Sequence, residues 1–220
     1  MRTHVARPAL AILLAAGYLL GAATAEAAAI GAMFGVNSSG ISGDAPPDAE
    51  YTDKSGLIAG AQGEFDIARD LSLSLQPMYV QRGTGLTVTD STSSSRERDL
   101  KVDLDYVAIP VVLKFVGMGG RTYFAGGIDV AFLSGATLSD GDVEADVKDS
   151  FNSVDVGALI GFGVVFPVGR PRLTLEARYV MGLVDLGDNA GDGSTPNLPD
   201  RFRSTGMQLT AGILLPLGRP

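Results

Sequence analysis

The sequence contains no cysteine and no tryptophan, and it has a single histidine, His4. Without cysteine the chain has no disulfide framework, no thiolate metal site and no residue that could carry a lipid anchor after export. After residue 30 no uninterrupted apolar run reaches the roughly 18 residues of a membrane-spanning helix. If the chain crosses a membrane, it must therefore cross as β-strands.

The N-terminal residues have the three parts of a secretory signal peptide. Arg2 and Arg7 give a positively charged start, and a mainly apolar run follows over residues 9–23. Small residues then alternate over 23–25 and 25–27, as signal peptidase requires. A membrane anchor is the alternative, but the apolar run is shorter than the roughly 20 residues that a spanning helix needs.

We predict a signal peptide over residues 1–25, with cleavage after Ala25 or Ala27, and a single domain over residues 28–220. Cleavage would remove His4, so the mature chain could use no histidine in a catalytic triad or at a metal ion. The mature chain would keep 15 basic and 25 acidic side chains, since Arg2 and Arg7 leave with the signal peptide. Such an acidic chain lacks the basic surface that nucleic acid requires.

Eight later segments alternate apolar and polar residues with the period of two that a β-strand has. Most are about ten residues long, which is the length of a tilted transmembrane strand. The segments are residues 30–36, 57–67, 71–82, 107–115, 122–132, 154–166, 173–183 and 207–215. The pattern predicts an all-β protein, a closed antiparallel up-and-down transmembrane β-barrel of eight strands.

The connections between these segments alternate between short and long. The short ones are residues 68–70, 117–120 and 167–171, and the long polar ones are residues 37–56, 83–99, 134–150 and 187–203. Short turns at one end and long loops at the other are typical of outer-membrane barrels, whose long loops face the outside of the cell. We therefore predict a monomeric, multi-pass protein of the bacterial outer membrane, surrounded by lipid, whose loops are available to an extracellular or secretion-machine protein.

The polar faces of the strands collect nearly all of the strands' charges. We predict that they form a cluster of ion pairs in the lumen, made of Glu64, Asp66, Arg82, Lys114, Asp129, Asp155, Glu176 and Arg178. Gly157, Gly161 and Gly163 fall on the same face, as expected where eight strands enclose only enough room for side chains. The bulky apolar face then points into lipid. The alternative is a soluble barrel of the lipocalin type, with the apolar face inside.

The charged lumen has several possible interpretations. We favour a plug of paired charges, because an unpaired buried charge is costly. A narrow ion path through the same groups is an alternative, and a glycosidase pair of Glu64 and Glu176 is formally open. A filled lumen offers no cleft for a sugar chain, however, so we expect no enzyme activity and no cofactor. The acidic residues 140–149 could hold calcium, but a solvated loop explains them better.

Several short stretches resemble the PorT-like outer-membrane β-barrel domain family. They are Leu71-Ser-Leu-Ser-Leu-Gln-Pro77, Leu104-Asp-Tyr106 with Ile109-Pro110 and Lys114, Phe166-Pro167 with Gly169, and Gly206-Met-Gln-Leu-Thr210. The sequence departs from the family in having Ala108 where an acidic residue often precedes Ile-Pro. The resemblance implies an outer-membrane location, and for some members a link to protein secretion or envelope assembly. It implies no catalytic residues.

Three functional hypotheses remain from the sequence. The first is a non-enzymatic envelope barrel with a plugged lumen and a structural or surface-interaction role. The second is an accessory component of a secretion or envelope assembly machine. The third is a narrow ion path through the lumen.

Overall fold

The structure is a computed structural model. It describes residues 28–42, 49–90, 96–117, 119–140, 143–148, 152–184 and 203–217. The predicted signal peptide and its cleavage sites lie outside these residues. Within them, no helix is long and apolar enough to cross a membrane.

Eleven β-strand segments account for almost all of the described residues. They are β1 (Ala28–Ser42), β2 (Ala49–Ala68), β3 (Leu71–Leu75), β4 (Met78–Asp90), β5 (Arg96–Ala108), β6 (Val111–Val116), β7 (Thr122–Asp140), β8 (Val143–Asp146), β9 (Val154–Pro167), β10 (Arg172–Gly182) and β11 (Arg203–Pro216). Two pairs of consecutive segments, β3 with β4 and β5 with β6, are halves of one wall strand each. The short β8 pairs only with β7 and lies off the ring. The wall therefore has eight strands.

The wall closes on itself. Every pairing is antiparallel, and β1 pairs with β2 on one side and with β11 on the other. Closure satisfies the backbone groups that a sheet edge would leave exposed, which hydrocarbon does not tolerate. The predicted fold class is confirmed: the chain forms a closed, eight-stranded, antiparallel up-and-down barrel.

Two prolines interrupt the wall strands without opening the barrel. Pro77 separates β3 from β4, and Pro110 separates β5 from β6; proline has no N–H to donate to the ladder. The carbonyl of Pro77 accepts a hydrogen bond from the Ala61 amide (2.9 Å), and that of Pro110 accepts one from the Gln76 amide (3.1 Å). Hydrogen bonding between neighbouring strands thus continues across both interruptions.

The strand register fixes the tilt and the width of the barrel. A path of paired residues that starts at Ala29 and passes once round the ring returns to β1 at Ser39, ten residues further on. With the usual strand spacing and rise, this stagger corresponds to a strand tilt of about 40° and a backbone radius of about 8 Å. Such a barrel has room for side chains but not for an open aqueous channel.

The bulky apolar residues form a belt around the outside. Phe34, Phe124 and Ile160 are each about two-thirds exposed, whereas inward neighbours such as Met33 and Leu159 are buried. On β2 the belt runs from Leu57 to Ile67, and ten tilted steps of about 3.3 Å give a height of about 25 Å, the thickness of the outer-membrane hydrocarbon. The apolar face therefore points outward, as the sequence predicted, and not into a lipocalin-like lumen.

Three of the four predicted long loops are wrong in large part. In the predicted loop 37–56, β1 continues to Ser42 and β2 begins at Ala49. In the predicted loop 83–99, β4 and β5 remain paired as far as Asp90 and Arg96. In the predicted loop 134–150, β7 reaches Asp140. Hydrophobic alternation stops where the strands leave the apolar belt, because both faces of a hairpin in water can be polar. The ladder itself continues. Of the predicted loop 187–203, only Arg203 is described.

The two ends of the barrel thus differ. One end, called here the turn end, carries both described chain ends and the turns between β2 and β3, β6 and β7, and β9 and β10. The other, called the hairpin end, carries the extended ladders of β1 with β2 and of β4 with β5.

Candidate functional site in the barrel lumen

Most of the predicted lumen charges lie inside the barrel. The buried residues of this set are Glu64, Arg82, Lys114, Asp129, Asp155, Glu176 and Arg178. The eighth, Asp66, lies on the same face of β2 as Glu64 but at the mouth of the lumen, where it is exposed at the turn end and accepts a hydrogen bond from the Ser72 hydroxyl (2.7 Å). The pairing of β2 with β3 shifts between Asp66 and Ala68, so the strict alternation of faces ends there.

The first group of lumen charges, the turn-end cluster, consists of Glu64, Lys114 and Arg172. Lys114 Nζ donates to Glu64 Oε2 (2.9 Å), and Arg172 Nη2 lies 3.3 Å from Glu64 Oε1. Lys114 Nζ also lies 4.8 Å from the centre of the Tyr123 ring, within range of a cation–π contact. Two cations therefore share one carboxylate, and one of the cations, Lys114, also lies over an aromatic ring.

The second group, the central cluster, surrounds the fully buried guanidinium of Arg178. Arg178 Nε donates to Gln208 Oε1 (2.7 Å), and Nη1 donates to Gln76 Oε1 (2.6 Å). The same Nη1 lies 3.5 Å from Glu176 Oε1, whose other oxygen accepts a hydrogen bond from the Tyr123 hydroxyl (2.7 Å). Tyr123 thus joins the central cluster to the turn-end cluster.

The hydrogen bond between Arg178 and Gln76 spans the lumen. Arg178 lies on β10, and Gln76 lies between β3 and β4, four wall strands away in a ring of eight. The two residues are therefore on opposite sides of the barrel. Glu64 on β2 and Lys114 on β6 also reach across an intervening wall strand. These bridges cross the space that water or a solute would have to fill.

The third group, the Arg82 cluster, lies nearer the hairpin end. Arg82 Nη1 donates to Asp155 Oδ2 (2.7 Å), and Nη2 forms a second ion pair with Asp129. The side chains of all three residues are at least nine-tenths buried. The Arg82 guanidinium carbon also lies 5.2 Å from the centre of the Tyr106 ring. One cation thus pairs with two buried carboxylates from two different strands.

Apolar side chains fill the lumen around the Arg82 cluster. This apolar layer consists of Met33, Ile58, Met78, Val80, Val102, Leu104, Tyr106, Ala108, Ala131, Leu133 and Ala136. These residues share the inward face of their strands with the charges. This layer was not predicted from the sequence, because lumen-facing positions were expected to be polar.

Glycines make room in the wall for the largest side chains of the plug. A Cβ atom at Gly163 would lie 2.2 Å from Tyr123 Cζ, and one at Gly161 would lie 2.8 Å from Arg178 Cβ. Both distances are shorter than side chains tolerate. Both glycines thus lie on the crowded inward face, as the sequence predicted.

Other residues of the plug were not predicted, although strand alternation places most of them on the inward face. Gln76, Gln208 and Tyr123 lie on the inward face by strand alternation, but they were not included because they carry no charge. Arg172 was missed because it lies one residue before the predicted strand that starts at residue 173. A rule that selects every polar inward residue would have found the first three.

The two glutamates of the lumen are held by neighbouring side chains. Among the described residues, no group of three histidine, cysteine, aspartate or glutamate side chains could hold a metal ion. Glu64 accepts a hydrogen bond from Lys114. Glu176 accepts one from Tyr123 and forms an ion pair with Arg178. The open space beside Glu64 is a vestibule of about 320 Å³ at the turn end, which Glu64 and Asp66 line together with Lys114.

Comparison with known families supports this architecture. A family model described as "Outer membrane protein beta-barrel domain" matches residues 22–188. The chain belongs to this family. It is accordingly an integral protein of the bacterial outer membrane, with lipid around its apolar belt. The short turns of such barrels face the periplasm and their long hairpins face outward, which assigns the turn end and the hairpin end respectively.

Three solved structures of outer-membrane proteins are similar at low sequence identity. The attachment invasion locus protein Ail of Yersinia pestis is 12% identical, with 86% of this chain and 99% of that chain covered and a TM-score of 0.44. Neisserial surface protein A (NspA) is 14% identical, with 86% of this chain and 98% of that chain covered and a TM-score of 0.46. OprG from Pseudomonas aeruginosa is 14% identical, with 87% of this chain and 95% of that chain covered and a TM-score of 0.47. No curated protein matches the chain significantly.

Proposed function

We propose that the protein is a non-enzymatic barrel whose closed lumen gives it a structural or surface-interaction role in the cell envelope. The observation that carries this proposal is the bridge from Arg178 to Gln76 across the lumen, with the apolar layer between it and the hairpin end. A solute would have to separate buried charged partners, which costs several kcal/mol. The barrel then serves as a rigid support for its extended hairpins.

A conductance measurement tests whether the lumen is closed. The purified protein in planar bilayers is expected to show no unitary conductance, because the plug leaves no continuous water path. Glu176→Gln and Arg178→Gln provide the comparison. Steady conductance in the parent that either substitution abolishes would replace the closed plug by the narrow ion path.

A hairpin-trimmed variant separates the structural role from the surface role. Gly85 and Lys101 are paired on β4 and β5, so residues 86–100 can be replaced by a two-residue Asn-Gly turn that keeps the register. Both the parent and this variant are expected to restore detergent resistance to a deletion strain if the barrel itself strengthens the membrane. Restoration by the parent alone would assign the function to the β4–β5 hairpin.

The resemblance to the PorT-like family supports a second candidate, an accessory role in protein secretion or envelope assembly. An accessory protein should co-purify with a periplasmic or membrane complex under mild solubilisation. A stand-alone barrel should purify alone as a monomer. Co-purification that survives trimming of residues 86–100 would favour a contact at the turn end and therefore the accessory role.

A further inference from the structure

A notch lies at the turn end of the wall, between β7 and β9. Strand β7 begins at Thr122, which pairs with Val164, whereas β9 continues to Pro167 and pairs there with β10. The end of β9 therefore projects beyond its neighbour. A single backbone hydrogen bond, from the Val165 amide to the Arg121 carbonyl (2.7 Å), ties it to the preceding turn.

This notch forms a groove of about 350 Å³. Its lining consists of Arg121, Thr122, Val164, Val165, Phe166 and Pro167. Phe166 is half exposed and lies on the lipid-facing side of β9. Further along the same outer surface, Phe124 and Phe162 pack edge to face with ring centres 5.4 Å apart. The groove thus opens sideways to the membrane and continues into an apolar, aromatic surface.

Exposed arginines outnumber exposed acidic residues, Asp66 and Asp70, in and beside the three short turns of this end, although the whole chain carries a net charge of −8. Each of the three short turns contributes an exposed arginine, namely Arg69, Arg121 and Arg170. Arg121 lines the groove, and none of the groove's lining residues is acidic. Because the turn end faces the periplasm, the groove lies at the level of the phosphate groups of the inner, phospholipid leaflet.

We propose that this groove binds one anionic phospholipid of the periplasmic leaflet. The Arg121 guanidinium contacts the lipid phosphate, for which its planar fork of donors is well suited. An acyl chain lies along Val164 and Phe166 and continues over the pair of Phe124 and Phe162. The headgroup is anionic and not zwitterionic, because the groove offers no carboxylate to pair with an ammonium group. The proposal depends on the barrel's orientation in the membrane and not on the lumen plug.

Native mass spectrometry of the detergent-purified barrel with added phosphatidylglycerol tests this site. The parent is expected to retain one lipid, and Arg121→Gln is expected to weaken retention about tenfold through loss of a charge-assisted contact. Phe166→Ala is expected to weaken it as well. Arg69→Gln is the matched control, because Arg69 lies in another short turn outside the groove and should leave retention unchanged. Slower migration after boiling on gels verifies that each variant is folded.

Three competitors define what would overturn the proposal. Competition by inorganic phosphate as effective as that by phosphatidylglycerol would indicate a simple anion site. Equal retention of phosphatidylethanolamine would remove the requirement for an anionic headgroup, and equal retention of lipid A would remove the assignment to the periplasmic leaflet. Unchanged lipid retention in both Arg121→Gln and Phe166→Ala would exclude the groove.

Discussion

Removal of Arg82 tests the idea that paired charges hold the hairpin end of the plug. The substitution Arg82→Met keeps much of the side-chain length but removes the only cation bonded to Asp129 and Asp155 among the described residues. Both carboxylates are almost completely buried, with side-chain exposures of 1% and 2%. They would then face each other without a compensating charge.

The expected magnitude follows from the burial of this cluster. Removal of one partner of a buried ion pair typically costs about 3–5 kcal/mol, because the remaining charge is left in a medium of low polarity. Arg82 has two such partners, so we expect the free energy of unfolding to fall by at least about 3 kcal/mol. Addition of Asp129→Asn and Asp155→Asn to Arg82→Met removes the stranded charges and should recover more than half of the loss.

Urea unfolding in lipid vesicles, followed by the gel shift between folded and unfolded barrel, measures this change without a tryptophan probe. Arg69→Gln is the control, since an exposed substitution in a turn should change stability by no more than about 0.5 kcal/mol. A loss below about 1 kcal/mol for Arg82→Met would refute the reasoning. It would mean that water reaches the Arg82 cluster and solvates both carboxylates.

Three further predictions use the same unfolding assay. Gly163→Ala should lower the free energy of unfolding by about 1–3 kcal/mol, because the new Cβ displaces Tyr123 from Glu176. In a Tyr123→Ala background, Gly163→Ala should lower it by much less. Lys114→Met should cost about 1–3 kcal/mol by leaving Glu64 with the partly exposed Arg172, and addition of Glu64→Gln should restore stability. Ile160→Arg, in the middle of the lipid-facing belt, should cost about 2–4 kcal/mol, whereas Ile160→Leu should be nearly neutral; equal effects of the two would contradict the membrane-facing assignment.

Strand alternation was sufficient to predict the barrel wall. Residues such as Phe34 and Ile160 had to face lipid, because a one-residue shift would exchange the apolar and polar faces of the whole strand. The narrow lumen could be predicted as well, since a ring of eight strands leaves little interior space. The same reasoning placed Glu64, Lys114, Glu176 and others inside the barrel.

The sequence could not show which lumen residues pair, because pairing depends on the stagger of the strands. A stagger of ten residues brings Arg178 opposite Gln76, which is 102 residues away in the chain. The full length of the hairpin strands was also hidden, because polar ladders outside the hydrocarbon do not alternate in hydrophobicity. The sequence also did not show that Asp66, unlike Glu64 on the same face, lies at the exposed mouth of the lumen.

The plug also distinguishes the correct strand register from its alternatives. A slip of β10 by one residue would turn Glu176 and Arg178 toward lipid and place Leu175 and Tyr179 in the lumen. An arginine near the middle of the membrane costs about 2–4 kcal/mol, and the hydrogen bonds to Gln76 and Gln208 would be lost as well. Replacement of the buried ion pairs by apolar residues of similar size can leave stability nearly unchanged. The charges in this lumen therefore contribute more to the choice of one closed register than to the net stability of the barrel.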